Sequence, residues 1–338
     1  MLLDAFRPAM VLVPLLLFPV VGGCGARDSK PAARARDSVS EWRGHGVCYG
    51  PHRDGQSPGG PSPTRAQIRE DLHLMRPHWS LVRLYGSSEF AARVLDVIRA
   101  DELELQVLLG VWVAAETRRD EQGTIVERLP DAAAANRREL DAAIALAAEY
   151  PQLILAVCVG NETQVSWSPH PCDLELLIEQ VRRVREAIAL PVTAADDYQY
   201  WLTPESRQLA REVDFITLHA HPLWNGKQLD EALAWLGEQV DAVRAIHPDR
   251  PVAIGETGWA TSVADHGEQA RLIQGVTGEA EQAIFYEAVR EWSAEAGLTT
   301  FFFEAFDENW KGGDDPAEVE KHWGLLQADR TPKLALTR

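Results

Sequence analysis

The sequence predicts a single (β/α)8 barrel, and three observations carry that reading. Short β-branched and aromatic runs alternate along the chain with longer stretches of helical period. Eight such runs occur, several of them near-continuous apolar segments of the kind needed by parallel strands covered on both faces. No glycine-rich phosphate turn follows any of them, which argues against a doubly wound, dinucleotide-binding sheet.

In order, the expected strands are Gly46–Tyr49, Leu81–Tyr85, Leu105–Val113, Ile154–Val159, Pro191–Ala195, Phe215–His219, Pro251–Gly255 and Thr299–Phe303. Amphipathic helices separate them. After Asp131, Leu140, Ile144 and Ala147 recur on one face. Asp173 is placed to cap a helix whose apolar stripe is Leu174, Leu177, Ile178, Val181, Val184 and Ile188. Phe285, Ala288, Val289 and Trp292 repeat the pattern near the end. No second composition regime appears, so residues 41–338 are expected to form one domain.

Residues 1–23 read as an export signal. Arg7 precedes an apolar run from Ala9 to Val21, interrupted by Pro14 and Pro19. That run falls short of the roughly 20 residues needed to span a bilayer, but it suits a signal core. Val21-Gly22-Gly23-Cys24 resembles the lipobox of bacterial lipoproteins, which would make Cys24 the lipidated residue; an ordinary cleaved signal is the alternative. Residues 24–40 are small and polar, a flexible tether. The expectation is an exported monomer, held at a membrane only through a lipid on Cys24 in the periplasm or at the cell surface, and otherwise secreted.

The formal net charge of −18 repels nucleic-acid phosphates and anionic membranes, so no nucleic-acid partner is expected. A neutral polysaccharide fits that surface. Eleven tryptophans suit sugar binding, although core packing uses tryptophan as well. With Cys24 acylated, Cys48, Cys158 and Cys172 remain, with no CxxC spacing; neither a disulfide nor a zinc site is expected, and no cofactor.

In such a barrel, function sits where the strands end. The fourth strand runs into Gly160-Asn161-Glu162, and the seventh runs through Gly255-Glu256-Thr257-Gly258-Trp259. Alternation places Ala156, Cys158, Gly160 and Glu162 on one side, making Cys158 a small interior residue. Two carboxylates leaving opposed strands suit a retaining glycosidase, whose pair stands about 5–5.5 Å apart.

Six stretches, in order, resemble glycoside hydrolase family 17, the β-1,3-glucanase family. They are Gly46-Val-Cys-Tyr-Gly50, Val82-Arg-Leu-Tyr-Gly86, Val159-Gly-Asn-Glu162, Gly255-Glu-Thr-Gly-Trp259, Phe303 to Lys311, and His322-Trp-Gly-Leu325. The resemblance implies Glu256 as nucleophile and Glu162 as acid/base, with Arg83 holding the Glu256 pKa down and Asn161 bonding the sugar 2-hydroxyl. Around them, Tyr49, Tyr85, Trp259 and Trp310 can offer flat faces to pyranose rings, and Glu304, Glu308 and Lys311 can bond hydroxyls. Asp196 and His219 complete the ring.

The chain departs from many plant members at His219-Ala-His221-Pro-Leu-Trp224, where those carry a tyrosine-rich strand end. Tyr49 to Gln56 looks more like bacterial members, some of which are glucanosyltransferases. The expected function is therefore double-displacement cleavage of β-1,3-glucan, with glucanosyl transfer as the alternative. Two readings from other classes are a metal-dependent hydrolase, suggested by His219-x-His221, and a barrel that binds glucan without cleaving it. No metal site is expected, because none of the other eight histidines ends a strand beside a carboxylate.

Overall fold

Eight parallel strands close into one barrel in the computed structural model, which describes residues 44–120 and 122–337. They are β1 His45–Cys48, β2 Leu81–Arg83, β3 Gln106–Val111, β4 Ile154–Asn161, β5 Val192–Asp197, β6 Phe215–His219, β7 Val252–Thr257 and β8 Thr300–Phe302. Each pairs with its neighbours in sequence, and β1 closes on β8 through His45 opposite Thr300. The signal, the tether and Cys24 lie outside the described residues.

All eight strands stand where the sequence places them, but their ends differ. β2 and β8 keep only three residues each, while β4 and β7 run on past the expected ends. The ladder explains the extension: Asn161 pairs with Ala195, Glu256 with His219 and Thr257 with Phe302. Glu256 is thus held inside a strand, and its backbone is as rigid as the sheet.

The helices are α1 Arg65–Met75, α2 Glu89–Ala100, α3 Pro130–Glu149, α4 Leu174–Ala187, α5 Tyr198–Trp201, α6 Ser206–Ala210, α7 Leu229–Ile246, α8 Gly267–Leu272 and α9 Glu279–Glu295. Thr64 and Gln67 form a capping box at the start of α1. The apolar stripe expected on α4 buries Leu177, Val181 and Val184 against the barrel. Asp173 does stand at the N-cap of α4, but its side chain does not cap. It accepts from Arg119 Nε at 2.8 Å and Thr117 Oγ1 at 3.0 Å instead, which ties down the hairpin Thr117–Arg119/Ile125–Arg128 between β3 and α3.

Alternation sorts the strand residues into two cores. Val47, Val82, Val157 and Ile216 face the helices, whereas Cys48, Leu108, Ala156, Cys158, Ala195, Ala253 and Phe301 fill the barrel interior. Small residues dominate that interior because Phe215 and Phe301 take much of its volume, and a Cβ on Gly46 would strike the Phe301 ring. Cys158 is buried there, as expected, and burial pushes its thiol up to about 11, so it is inert. Cys48, Cys158 and Cys172 are all free.

Candidate active site

Glu256 is almost fully buried at the carboxyl end of β7. Its Oε1 pairs with Arg83 Nη1 from the end of β2 and accepts the Tyr85 hydroxyl at 3.0 Å. Its Oε2 lies 3.5 Å from His221 Nε2. Burial works against the Glu256 charge, but the Arg83 guanidinium and the His221 imidazole beside it outweigh that and hold the carboxyl far below its usual range. His219 adds no charge, since burial drives its imidazole down to about 3 and leaves it neutral.

Arg83 also reaches across the mouth. Its Nη2 donates to Asn161 Oδ1 at 2.6 Å, and its guanidinium stacks 4.6 Å over the Tyr85 ring. One side chain thereby fixes β2, β4 and β7 relative to each other at the reacting end of the barrel. His170 Nε2 holds the Asn161 carbonyl from the far side at 2.9 Å.

Glu162 follows Asn161 with φ of +49°, and Gly160 before it has φ of +81°. A left-handed conformation at a residue other than glycine costs about 1–2 kcal/mol, so this turn is held by its surroundings. The Glu162 amide donates to the Ala195 carbonyl at 2.9 Å, which anchors the turn on β5. Burial, reinforced by the Glu256 charge, pushes the Glu162 carboxyl up to about 8. The two carboxylates thus differ in protonation near neutrality: Glu256 is ionised and Glu162 carries its proton.

His219 stands between them. Its Nδ1 is 2.9 Å from Glu162 Oε1 and its Nε2 is 3.5 Å from Glu256 Oε1. Ligand atoms of Glu162, His219 and Glu256 all lie within 4.8 Å of each other, a spacing that would also suit a metal ion. Arg83 weighs against one, because its guanidinium occupies Glu256 Oε1 and would repel a cation there.

A second polar group lies at the β8 side. Lys311 Nζ is 2.6 Å from Glu304 Oε1 and 3.1 Å from Glu308 Oε2, while His52 Nδ1 is 3.1 Å from Glu308 Oε1. Burial raises the Glu304 carboxyl well above its ordinary value, and Lys311 offsets only part of that. Trp310 is 41 % exposed beside them, with its ring edge toward His52.

Three expected sugar contacts are elsewhere engaged. Tyr49 is buried between Phe90 and Phe306, and its hydroxyl donates to Asp71 at 2.9 Å. Trp259 is 0 % exposed, packs on Phe285 and donates from Nε1 to the Val276 carbonyl at 3.0 Å. Asp196 accepts the Gln164 and Asp197 amides at 2.9 and 3.0 Å, bracing the turn at Glu162 from beneath. Each ring is claimed by residues from elsewhere in the chain, Tyr49 by Asp71 and Phe306 and Trp259 by Val276 and Phe285. Tyr85 is part-buried and spends its hydroxyl on Glu256.

His221 enters the sequence reading only as half of a metal-ligand pair, whereas the structure sets its Nε2 3.5 Å from Glu256 Oε2, on the same side of the extended segment as His219. Trp112, exposed by 37 %, is not among the expected sugar contacts either. Trp112 packs on His170 with ring centroids 4.4 Å apart, next to the Asn161–Glu162 turn. A lone aromatic after a strand carries no signal that separates a platform from packing.

The family model described as the BtgE/BtgC glycoside hydrolase domain matches residues 46–324, from β1 to the segment after β8. The chain belongs to that family. As a member of the BtgE/BtgC glycoside hydrolases it is a glycosidase. It is 28 % identical over 292 residues to a glucan 1,3-beta-glucosidase of Arthroderma benhamiae, covering 82 % of this chain and 86 % of that one. An endo-laminarinase from Formosa superposes with a TM-score of 0.77 at 24 % identity, covering 90 % and 88 % of the two chains. An active-site mutant of a Rhizomucor miehei beta-1,3-glucanosyltransferase, in complex with laminaritriose, gives 0.69 at 23 % identity, covering 87 % and 96 %. The two structural likenesses carry the barrel fold.

Proposed function

We propose that this BtgE/BtgC-family enzyme, of the glycoside hydrolase family 17 type, cleaves β-1,3-glucosidic bonds by double displacement, with Glu256 as nucleophile and Glu162 as acid/base. The observation that carries the reading is the approach of two strand-end carboxyls, Glu162 and Glu256, to within 4.8 Å at the barrel mouth, with neighbours that push their proton affinities in opposite directions. Ionised Glu256 attacks the anomeric carbon while Glu162 gives its proton to the departing oxygen. The resulting glycosyl ester on Glu256 is then opened by an acceptor oxygen, whose proton returns to Glu162. Asn161, pulled into place by Arg83, is aimed to bond the sugar 2-hydroxyl as oxocarbenium character develops.

The β-1,3 linkage is supported by the relatives, several of which are β-1,3-glucan-cleaving enzymes. Transfer to a second sugar uses the same intermediate, and the Rhizomucor neighbour is a transferase. Sizing the products from a β-1,3-glucooligosaccharide ladder decides among these: shorter products mean hydrolysis and longer ones transfer. Cleavage of β-1,4- but not β-1,3-linked substrate would overturn the linkage. Export with a lipid on Cys24 belongs to the same proposal; radiolabelled palmitate incorporated by the wild type and not by Cys24→Ala is the expected result.

A further inference from the structure

We propose that His219 is a positioning residue: its neutral ring, read by Glu256 on one nitrogen, obliges Glu162 to carry the proton on the other. The inference rests on the carboxylate roles proposed above and extends them to a residue expected only to line the sugar site.

The argument is one of hydrogen inventory. His219 is fully buried, and its Nε2 has no hydrogen-bond partner; the atom it faces is Glu256 Oε1 at 3.5 Å. Arg83 and Tyr85 keep that oxygen anionic, and an anion at this distance favours the N–H on Nε2. A neutral imidazole then has a lone pair at Nδ1. Nδ1 lies 2.9 Å from Glu162 Oε1, and two lone pairs cannot bond, so the hydrogen between them belongs to Glu162. A lysine or arginine in this place would reverse the outcome by stabilising an ionised Glu162.

The surroundings hold the ring neutral and fixed. Arg83 from β2 and His221 from the next turn repel a charged imidazole, and burial outweighs the attraction of Glu256 from β7 and Asp197 from β5. Gly255 makes room for the ring: a Cβ there would strike Thr217 and come 3.0 Å from His219 Nε2.

The test compares His219→Leu, which removes both nitrogens, with His219→Asn, whose amide falls near the Nδ1 position. The first readout is titration of the Glu162 carboxyl by 13C NMR of glutamate-labelled protein, with Glu162→Gln to assign the signal. His219→Leu is expected to lower that titration by about one pH unit or more, and His219→Asn to restore part of it. The second readout is activity on a β-1,3-glucooligosaccharide, whose leaving group needs a proton, against a dinitrophenyl β-glucoside, whose leaving group does not. His219→Leu should lose roughly 100-fold on the oligosaccharide and under about 10-fold on the aryl glucoside.

An unmoved Glu162 titration, or equal losses on both substrates, would overturn the proposal. A shifted titration in a protein whose wild type cleaves neither substrate would uphold His219 and overturn the glucanase reading.

Discussion

The Tyr85 hydroxyl donates to Glu256 Oε1 at 3.0 Å, the same oxygen that pairs with Arg83. Two donors converge there, so the carboxylate keeps its charge despite burial. Tyr85→Phe removes one of them and costs about 1.5–3 kcal/mol of stabilisation of the charged form, a fall of roughly 10–100-fold in kcat. Because the lost donor favoured ionisation, the acid limb of the kcat/KM profile moves to higher pH. An unshifted limb would place the hydroxyl on substrate instead.

Glu162→Ala should keep glucan binding and lose about 100- to 10,000-fold in turnover, the usual contribution of a general acid. Isothermal titration with a laminarioligosaccharide reads the first and product release the second. Near-normal hydrolysis would remove Glu162 from its proposed role.

Activity should fall as pH rises through about 8, where Glu162 loses its proton. Stability follows the same group. Its folded pKa lies above the ordinary 4.5, so the folded state holds an extra proton between those values. That contribution is complete below about pH 4.5 and is lost as pH rises through about 8. Glu162→Gln cannot titrate, and its Tm should decline less steeply over this window than that of the wild type.

Trp259 and Trp310 should separate cleanly. Trp259→Ala empties a fully buried site and is expected to destabilise by about 3–5 kcal/mol in urea melts. Trp310→Ala, at an exposed ring, should change stability by less than about 0.5 kcal/mol and raise KM.

A chelator should leave hydrolysis unchanged, because Arg83 supplies the positive charge that a metal would bring to Glu256. Loss of activity in EDTA, recovered with zinc, would revive the metal-dependent reading.

The sequence by itself determined the barrel, the order of its strands and the placing of two glutamates at strand ends. Each rests on local pattern: β6 at Phe215–His219 is read to the residue from its apolar run, and Glu162 and Glu256 each follow such a run. Tertiary structure alone decided the partners. Nothing local turns Trp259 and Tyr49 inward or leaves Trp310 exposed, because burial depends on what packs above a strand end from elsewhere in the chain. Likewise, Arg83 is 173 residues from Glu256 and 78 from Asn161, and His219 is 57 from Glu162. Proton affinities are set by burial and by such neighbours, so the opposite shifts of two chemically equal glutamates arise only when the barrel closes around them.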